Sequence, residues 1–148
     1  MANERELESA ALILSSSEAW TCYGIHYDEA LGLLRAMPDQ IFIAEHDQAV
    51  IGLITLRNDG VGNIGAYVRM LAVAPDLRGQ GIGVRLLDFA SQIASQEQPN
   101  LFLICSTDNA GAQRFYERNG FEAVGIMKDL VVSGHHEIFY RKAFATLR

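Results

Sequence analysis

The chain has 148 residues, 49% of them apolar and 20% charged, with a net charge of −6 at pH 7. That length suits one domain with an ordinary buried core, and an acidic chain lacks the basic footprint of a nucleic-acid binder. Every apolar run stays well short of the roughly 20 residues that a membrane helix needs. Cys22 and Cys105 show neither metal-ligand nor C-x-x-C spacing, so reduced thiols, no metal and a cytoplasmic location are expected. The N-terminus is acidic, and its Ala10–Leu14 run is too short for a signal peptide.

Residues 4–19 read as one helix, since Leu7, Ala11 and Leu14 recur on one face. Ser15, Ser16 and Ser17 weaken its continuation or cap a further turn. Next comes the densest aromatic cluster in the chain, Trp20-Thr21-Cys22-Tyr23-Gly24-Ile25-His26-Tyr27. Its rings suit a connector that plugs the gap between helix and sheet. A second helix is expected from near Asp28, a good N-cap residue, to just before Pro38. Ala30, Leu33, Leu34 and Met37 form its inward side.

Ile41–Glu45 and Val50–Leu56, joined by the polar His46-Asp47-Gln48, predict a β-hairpin. Asn58-Asp59-Gly60 marks a turn towards the stretch Ile64–Val73. Its portion Tyr67–Val73 is rich in β-formers and is closed by Pro75. From Ile82 onward, Leu86, Phe89, Ala90 and Ile93 recur at helical spacing. Gln98-Pro99-Asn100 then breaks the chain, and Leu101–Cys105 has the continuous apolar run of a buried strand. A helix over 110–118 ends at Asn119-Gly120, with Phe121 placed to pack back on it. Val124–Val132 and Glu137–Phe144 predict a final antiparallel pair joined by Ser133-Gly134-His135-His136. The order of elements predicts one mixed α/β domain over 1–148.

The strand-to-helix junction Arg78-Gly79-Gln80-Gly81-Ile82-Gly83 places three glycines within five residues. Without Cβ atoms the backbone can turn sharply and admit a ligand to its amides. The first amides of the following helix lack intrahelical partners and carry partial positive charge, which suits a phosphate or pyrophosphate with Arg78 as an added cation. A Walker loop is excluded because no Lys follows the glycines. A dinucleotide fingerprint is excluded because Val84 stands where its third glycine belongs. A turn that only packs a helix closely on a sheet is the competing reading.

Leu71-Ala72-Val73, Pro75 and Arg78-Gly79-Gln80-Gly81-Ile82-Gly83 resemble the central Arg/Gln-x-x-Gly-x-Gly/Ala motif of the GNAT superfamily of acyl-CoA-dependent N-acyltransferases. A second stretch, Asn109 to Phe121 (NAGAQRFYERNGF), resembles that family's Asn-x-x-Ala-x-x-Phe-Tyr-x-x-x-Gly-Phe segment. The two stretches and their elements cover roughly half the chain, and the pair is specific where either alone is weak. The resemblance implies a mixed, mostly antiparallel central sheet flanked by helices, with central strands splayed at a cofactor site. It also implies acyl transfer from acetyl-CoA to an amine. The family usually begins with a strand; either Ala11–Leu14 is that strand here or this member lacks it.

By the same resemblance, Met70, Leu71, Ala72 and Val73 face the pantetheine arm, with Leu71 and Val73 the main-chain contacts. Arg78, Gly79, Gln80, Gly81, Ile82 and Gly83 bind the pyrophosphate. Asn109 contacts the cofactor arm, a role compatible with capping the helix. Tyr116 lies near the thioester sulfur and protonates the leaving thiolate; its competing reading is a half-buried packing tyrosine. The segment joining the first two helices helps to form the acceptor site, which makes Trp20, Tyr23 and His26 candidate substrate contacts, with His135 a further one.

Arg69 and Met70 stand at strand positions that are often acidic in the family, so no carboxylate base is present there. His26, His135, His136 and Glu45 are the remaining base candidates, and none is needed if the amine arrives neutral. Cys105 sits in an apolar strand without a cationic neighbour and reads as a packed, inert thiol. The expected acceptor is a small-molecule amine or a peptide or protein amino group, with no nucleic acid or membrane partner. A homodimer through Glu137–Phe144 is a further possibility. The alternative class is a catalytically weak acyl-CoA-binding sensor, favoured only by the missing strand carboxylate.

Overall fold

A computed structural model describes residues 1–147. The chain divides into two units, one built from Met1–Arg57 with Met70–Ala90, the other from Asn58–Arg69 with the chain from Ser91 onward.

In the first unit, α1 (Glu4–Ser15) opens with a capping box: the Glu6 amide donates to Asn3 Oδ1 and the Asn3 amide to Glu6 Oε2. The expected single helix over 4–19 is interrupted. Ser15 and Ser16 hydroxyls donate back to the Leu12 carbonyl, Ser17 turns extended, and α2 (Glu18–Thr21) starts afresh. Ala11–Leu14 therefore belongs to α1, and among the described residues no strand precedes Gln40. Helix α3 (Tyr27–Ala36) begins earlier than expected, with His26 rather than Asp28 at the N-cap, and Asp28 lies in the first turn, where its charge complements the helix dipole. Its buried face is Ala30, Leu31 and Leu34; Leu33, expected inside, is exposed, and Met37 is half-buried.

Strands β1 (Gln40–His46) and β2 (Ala49–Leu56) form the expected hairpin. Its turn places Asp47 and Gln48 at φ 49 and 65, the left-handed pair that suits strand twist. The long stretch to Val73 splits in two, because its ends pair differently. Strand β3 (Ala66–Val68) belongs to the second unit, and β4 (Leu71–Val73) joins β2 antiparallel to complete the order β1-β2-β4. Under this sheet, Ala10, Ala11, Ile13 and Leu14 of α1 pack with Ala30, Leu31 and Leu34 of α3 and with Leu53, Met70 and Ala72. Leu14, Leu34 and Leu53 are almost fully buried, and each such side chain contributes about 2 kcal/mol.

In the second unit, β3 pairs parallel with β5 (Asn100–Ser106). Strand β7 (Glu137–Ala143) then runs antiparallel to both β5 and β6 (Glu122–Met127), giving the order β3-β5-β7-β6. The fold is thus mixed α/β and mostly antiparallel. Phe102 and Phe139 stack at 4.9 Å on one face. A Cβ at Gly65 would lie 2.4 Å from the Phe102 ring, so only glycine fits there. The last strand pair is shorter than expected. At Met127 the chain leaves β6, Asp129 turns to φ 54, and its Oδ1 accepts from the Gly134 amide at 2.7 Å. That side-chain turn outweighs the β preference of Val131 and Val132, which lie exposed in a loop.

Helix α5 (Ala110–Arg118) has the predicted bounds and ends with Gly120 at φ 90. Helix α4 (Ile82–Ser95) carries the chain from the first unit into the second after Ala90.

Candidate functional site

The first unit presents β4 at the edge of its sheet. The Met70 amide donates to Thr55 Oγ1 at 3.0 Å, the Thr55 amide to the Met70 carbonyl at 2.9 Å, and the Ala74 amide to the Ile51 carbonyl at 2.8 Å. Residues 70, 72 and 74 therefore turn their main-chain groups towards β2. By strand alternation, Leu71 and Val73 turn theirs to the outer edge of this sheet. Such an edge is a template for another extended, amide-bearing chain. Behind it, Gly52 lies so close that a Cβ there would meet the Ala72 carbonyl oxygen at 3.0 Å and Leu86 at 3.1 Å. A small residue in β2 thus lets Ile82 and Leu86 of α4 pack closely on that strand.

A 3-10 turn over Pro75–Leu77 carries β4 into the glycine junction. Arg78 is extended and exposed, and Gln80 is exposed. Gly79 and Gly81 hold φ 79 and 82, and a Cβ at either would meet nothing within 4 Å. Glycine is required here by backbone conformation, while the space above stays open. The Gly81 carbonyl accepts from the Arg85 amide at 3.1 Å, so the amides of Ile82, Gly83 and Val84 have no partner within α4. No acidic residue occupies the first turn. The junction can therefore hold an anion against main-chain donors.

In the second unit, β5 leads through Asn109 into α5. Asn109 Oδ1 accepts from the Ala112 amide at 3.1 Å and caps the helix. Gln113 Nε2 donates to the Ser106 and Thr107 carbonyls, pinning the loop that sets Asn109 in place. Tyr116 lies two turns further on, half-buried among Phe115, Phe121 and Tyr140, whose ring centroids are 5.3, 5.8 and 6.1 Å away. Burial pushes its phenol well above the ordinary value, with Cys105 and Tyr67 adding to the shift. It stays protonated over the physiological range, as a proton donor must. Cys105 is pushed up to about 12, by burial first and then by Glu137 and Glu117. A thiol held protonated and buried is no nucleophile.

Trp20 packs against the core of the first unit, as do Ile25 and Tyr27. Tyr23 is half-buried, and His26 is exposed at the N-cap of α3 without a side-chain capping bond. His135 belongs to the second unit, exposed, with Nδ1 3.4 Å from Asp108 Oδ2. His136 Nδ1 accepts from the Asp129 amide at 3.2 Å, and Glu45 is exposed. Arg69 is exposed and Met70 buried.

Sequence reasoning passed over Gly52, Thr55, Tyr140 and Glu137. The first two carried a signal: a glycine and a hydroxyl inside the apolar run of β2. Tyr140 and Glu137 became visible only with the β7 register and its burial.

The sequence profile of the acetyltransferase (GNAT) family matches residues 7–121. N-alpha-acetyltransferase 30 of Schizosaccharomyces pombe is 31% identical over 112 residues, covering 71% of this chain and 69% of that protein. The chain spans 45% of the length of another curated relative, an uncharacterized N-acetyltransferase of Methanocaldococcus jannaschii. A crystal structure of a protein from Desulfovibrio desulfuricans, assigned to the GNAT acetyltransferases, superposes with a TM-score of 0.84 at 22% identity. It covers 97% of this chain and 95% of that one. A protein assigned as a streptothricin acetyltransferase from Bacillus anthracis, solved with acetyl coenzyme A, is 30% identical with a TM-score of 0.65. It covers 74% of this chain and 65% of its own.

Proposed function

From the chain's membership of the acetyltransferase (GNAT) family, shown by the match over residues 7–121, we propose transfer of the acetyl group of acetyl-CoA to a primary amine. The amine attacks the thioester directly through a tetrahedral intermediate, with no acyl-enzyme. The whole chain acts as one acetyltransferase domain. The observation that carries this reading is the outward turn of Leu71 and Val73 on edge strand β4, which runs directly into an anion-accepting glycine junction. Leu71 and Val73 bind the pantetheine amides by main chain, with Ala72 between them. Arg78, Gly79, Gln80, Gly81, Ile82 and Gly83 cradle the pyrophosphate.

Asn109 contacts the cofactor arm with the side chain that also caps α5. Tyr116 gives its proton to the departing thiolate, a role that suits a phenol kept neutral by burial. The names of two relatives, an N-alpha-acetyltransferase and a streptothricin acetyltransferase, support an amine acceptor that is either a peptide or protein amino group or a small molecule. Trp20, Tyr23, His26 and His135 are its candidate contacts. Among the described residues no helix is long and apolar enough to cross a membrane, and both cysteines are free, which fits a cytoplasmic enzyme.

The test is CoA-thiol release from acetyl-CoA against polyamines, amino acids, aminoglycosides and peptides with free N-termini. Release with one class, lowered in Tyr116→Phe, supports the reading and names the acceptor class. Acetyl-CoA binding without release from any amine overturns it.

A further inference from the structure

The outermost strands of a sheet lack a neighbour on one side, and their free main-chain groups are where another chain can add. In the second unit the order β3-β5-β7-β6 leaves β3 and β6 outermost. Strand β7 lies between β5 and β6, so a homodimer by strand addition through it is closed. Strand β3 is three residues long, with Ala66 and Val68 buried. Strand β6 is different: Glu122 to Ile126 are all exposed, and Met127 is half-buried. Val124 and Ile126 leave 57% and 63% of their surface uncovered, and Leu130, Val131 and Val132 in the following loop are exposed too. An uncovered apolar edge without proline invites pairing with another strand.

We propose that β6 pairs antiparallel with β6 of a second copy of this chain, about a two-fold axis at Gly125. The charge pattern of the strand selects this partner. Under that symmetry, positions equally far before and after Gly125 stand opposite one another. Glu122, three residues before the axis, faces Lys128 of the second copy, three residues after it, and the pair forms twice. Val124 faces Ile126 in the same way. Both charged side chains are exposed, and among the described residues neither makes an ion pair. Opposite charges and β-branched apolar pairs are what hold neighbouring strands together.

Gly125 puts no side chain on the axis, and a Cβ there would meet nothing within 4 Å in its own chain. A bulge between Ala123 and Gly125 bends the strand. That bend mismatches a straight foreign strand, whereas a two-fold copy brings the same bend to the same point. The two four-stranded sheets then join into one. The pairing requires neither acetyl-CoA nor an amine, so it stands apart from the transferase reading.

The experiment is analytical ultracentrifugation over a range of concentrations on wild type, Glu122→Lys, Lys128→Glu and the double variant, with circular dichroism to check each fold. Wild type is expected to dimerise. Each single reversal sets like charges opposite one another at both ends of the pairing and should raise the dimer dissociation constant about tenfold. The double variant restores opposite charges and should return close to wild type. A wild type that stays monomeric at every concentration leaves β6 to a different chain and overturns the proposal. A dimer unmoved by either reversal, or weakened by both and not restored in the double variant, also overturns it. Should a charge variant fail to fold, Gly125→Cys in a Cys22→Ser background gives the second reading. Residues facing each other across the axis lie within disulfide reach, so mild oxidation should link two copies. Protein that remains unlinked overturns the register.

Discussion

The Tyr140 hydroxyl donates to Glu117 Oε1 at 3.1 Å, fastening the fully buried ring of β7 to the turn of α5 that carries Tyr116. Replacing Tyr140 by Phe removes that bond and keeps the ring. Stability should fall by about 1 kcal/mol, the usual net value of one such bond. Urea unfolding measures it. An unchanged midpoint would show that the bond contributes nothing to holding α5.

Tyr116→Phe deletes the proposed proton donor and preserves the packing against Phe121 and Tyr140. Turnover should drop by about tenfold to a hundredfold, at or below the range for general acid catalysis, with acetyl-CoA affinity nearly intact. Steady-state kinetics and calorimetric titration separate the two effects. A full rate, with chemistry shown to be limiting, removes Tyr116 from the mechanism.

Gly81→Val forces a β-branched residue to φ 82 at the start of α4. The strain costs about 1–3 kcal/mol, and the side chain enters the open space above the amides. Acetyl-CoA binding should be lost with the helix content retained, as read by titration and circular dichroism. Normal affinity in a folded variant would overturn the pyrophosphate assignment.

Thr55→Val leaves the buried Met70 amide without its acceptor at the point where β4 begins. An unsatisfied buried donor costs about 1–3 kcal/mol, so the variant should unfold at lower denaturant. Acetyl-CoA affinity should weaken as well, because the turn of Leu71 towards the outer edge depends on Met70 being held to β2. Stability and affinity both equal to wild type would rule out this pin.

Cys105 ionises near pH 9 in an unfolded chain and only at about 12 when folded. Its folded value is raised, so its contribution is complete below about pH 9 and is lost as the pH climbs towards 12. Tyr140, pushed from 10.0 up to about 12 by burial and by its bond to Glu117, acts in the same direction. Stability should therefore fall on the alkaline side, and Cys105→Ala should flatten the first part of that fall. Iodoacetamide should label Cys22, which is exposed, before Cys105, with the order read by mass spectrometry. Rapid labelling of Cys105 in the folded protein would contradict its burial.

Elements with signals at both ends were legible. Helix α5 has a capping Asn109 before it and Asn119-Gly120 after it, and its predicted bounds match. The β1–β2 hairpin was legible because alternation and a polar turn agree. Where only an apolar run spoke, the reading overshot. Val124–Val132 continues past β6 because one side chain, Asp129, closes a turn that β propensity cannot anticipate. The stretch ending at Val73 read as one strand, and pairing partners, which are non-local, divided it into β3 and β4. Glu137 opens the last strand as expected, and its burial across from Ser106 depends on a pairing partner that the sequence does not name.

The chain passes between its two units after Arg57, after Arg69 and again after Ala90. A ribosome therefore delivers the α1–α3 layer and the β1–β2 hairpin before Met70 and Ala72, which complete their core. In the interval the free side of β2, from Gly52 to Ile54, waits as an open edge while twelve residues destined for the other unit emerge. Vectorial synthesis thus leaves the early half unfinished until the motif-bearing middle of the chain arrives. Truncation anywhere before Ala90 leaves that half incomplete, with an open strand edge and an unfilled core.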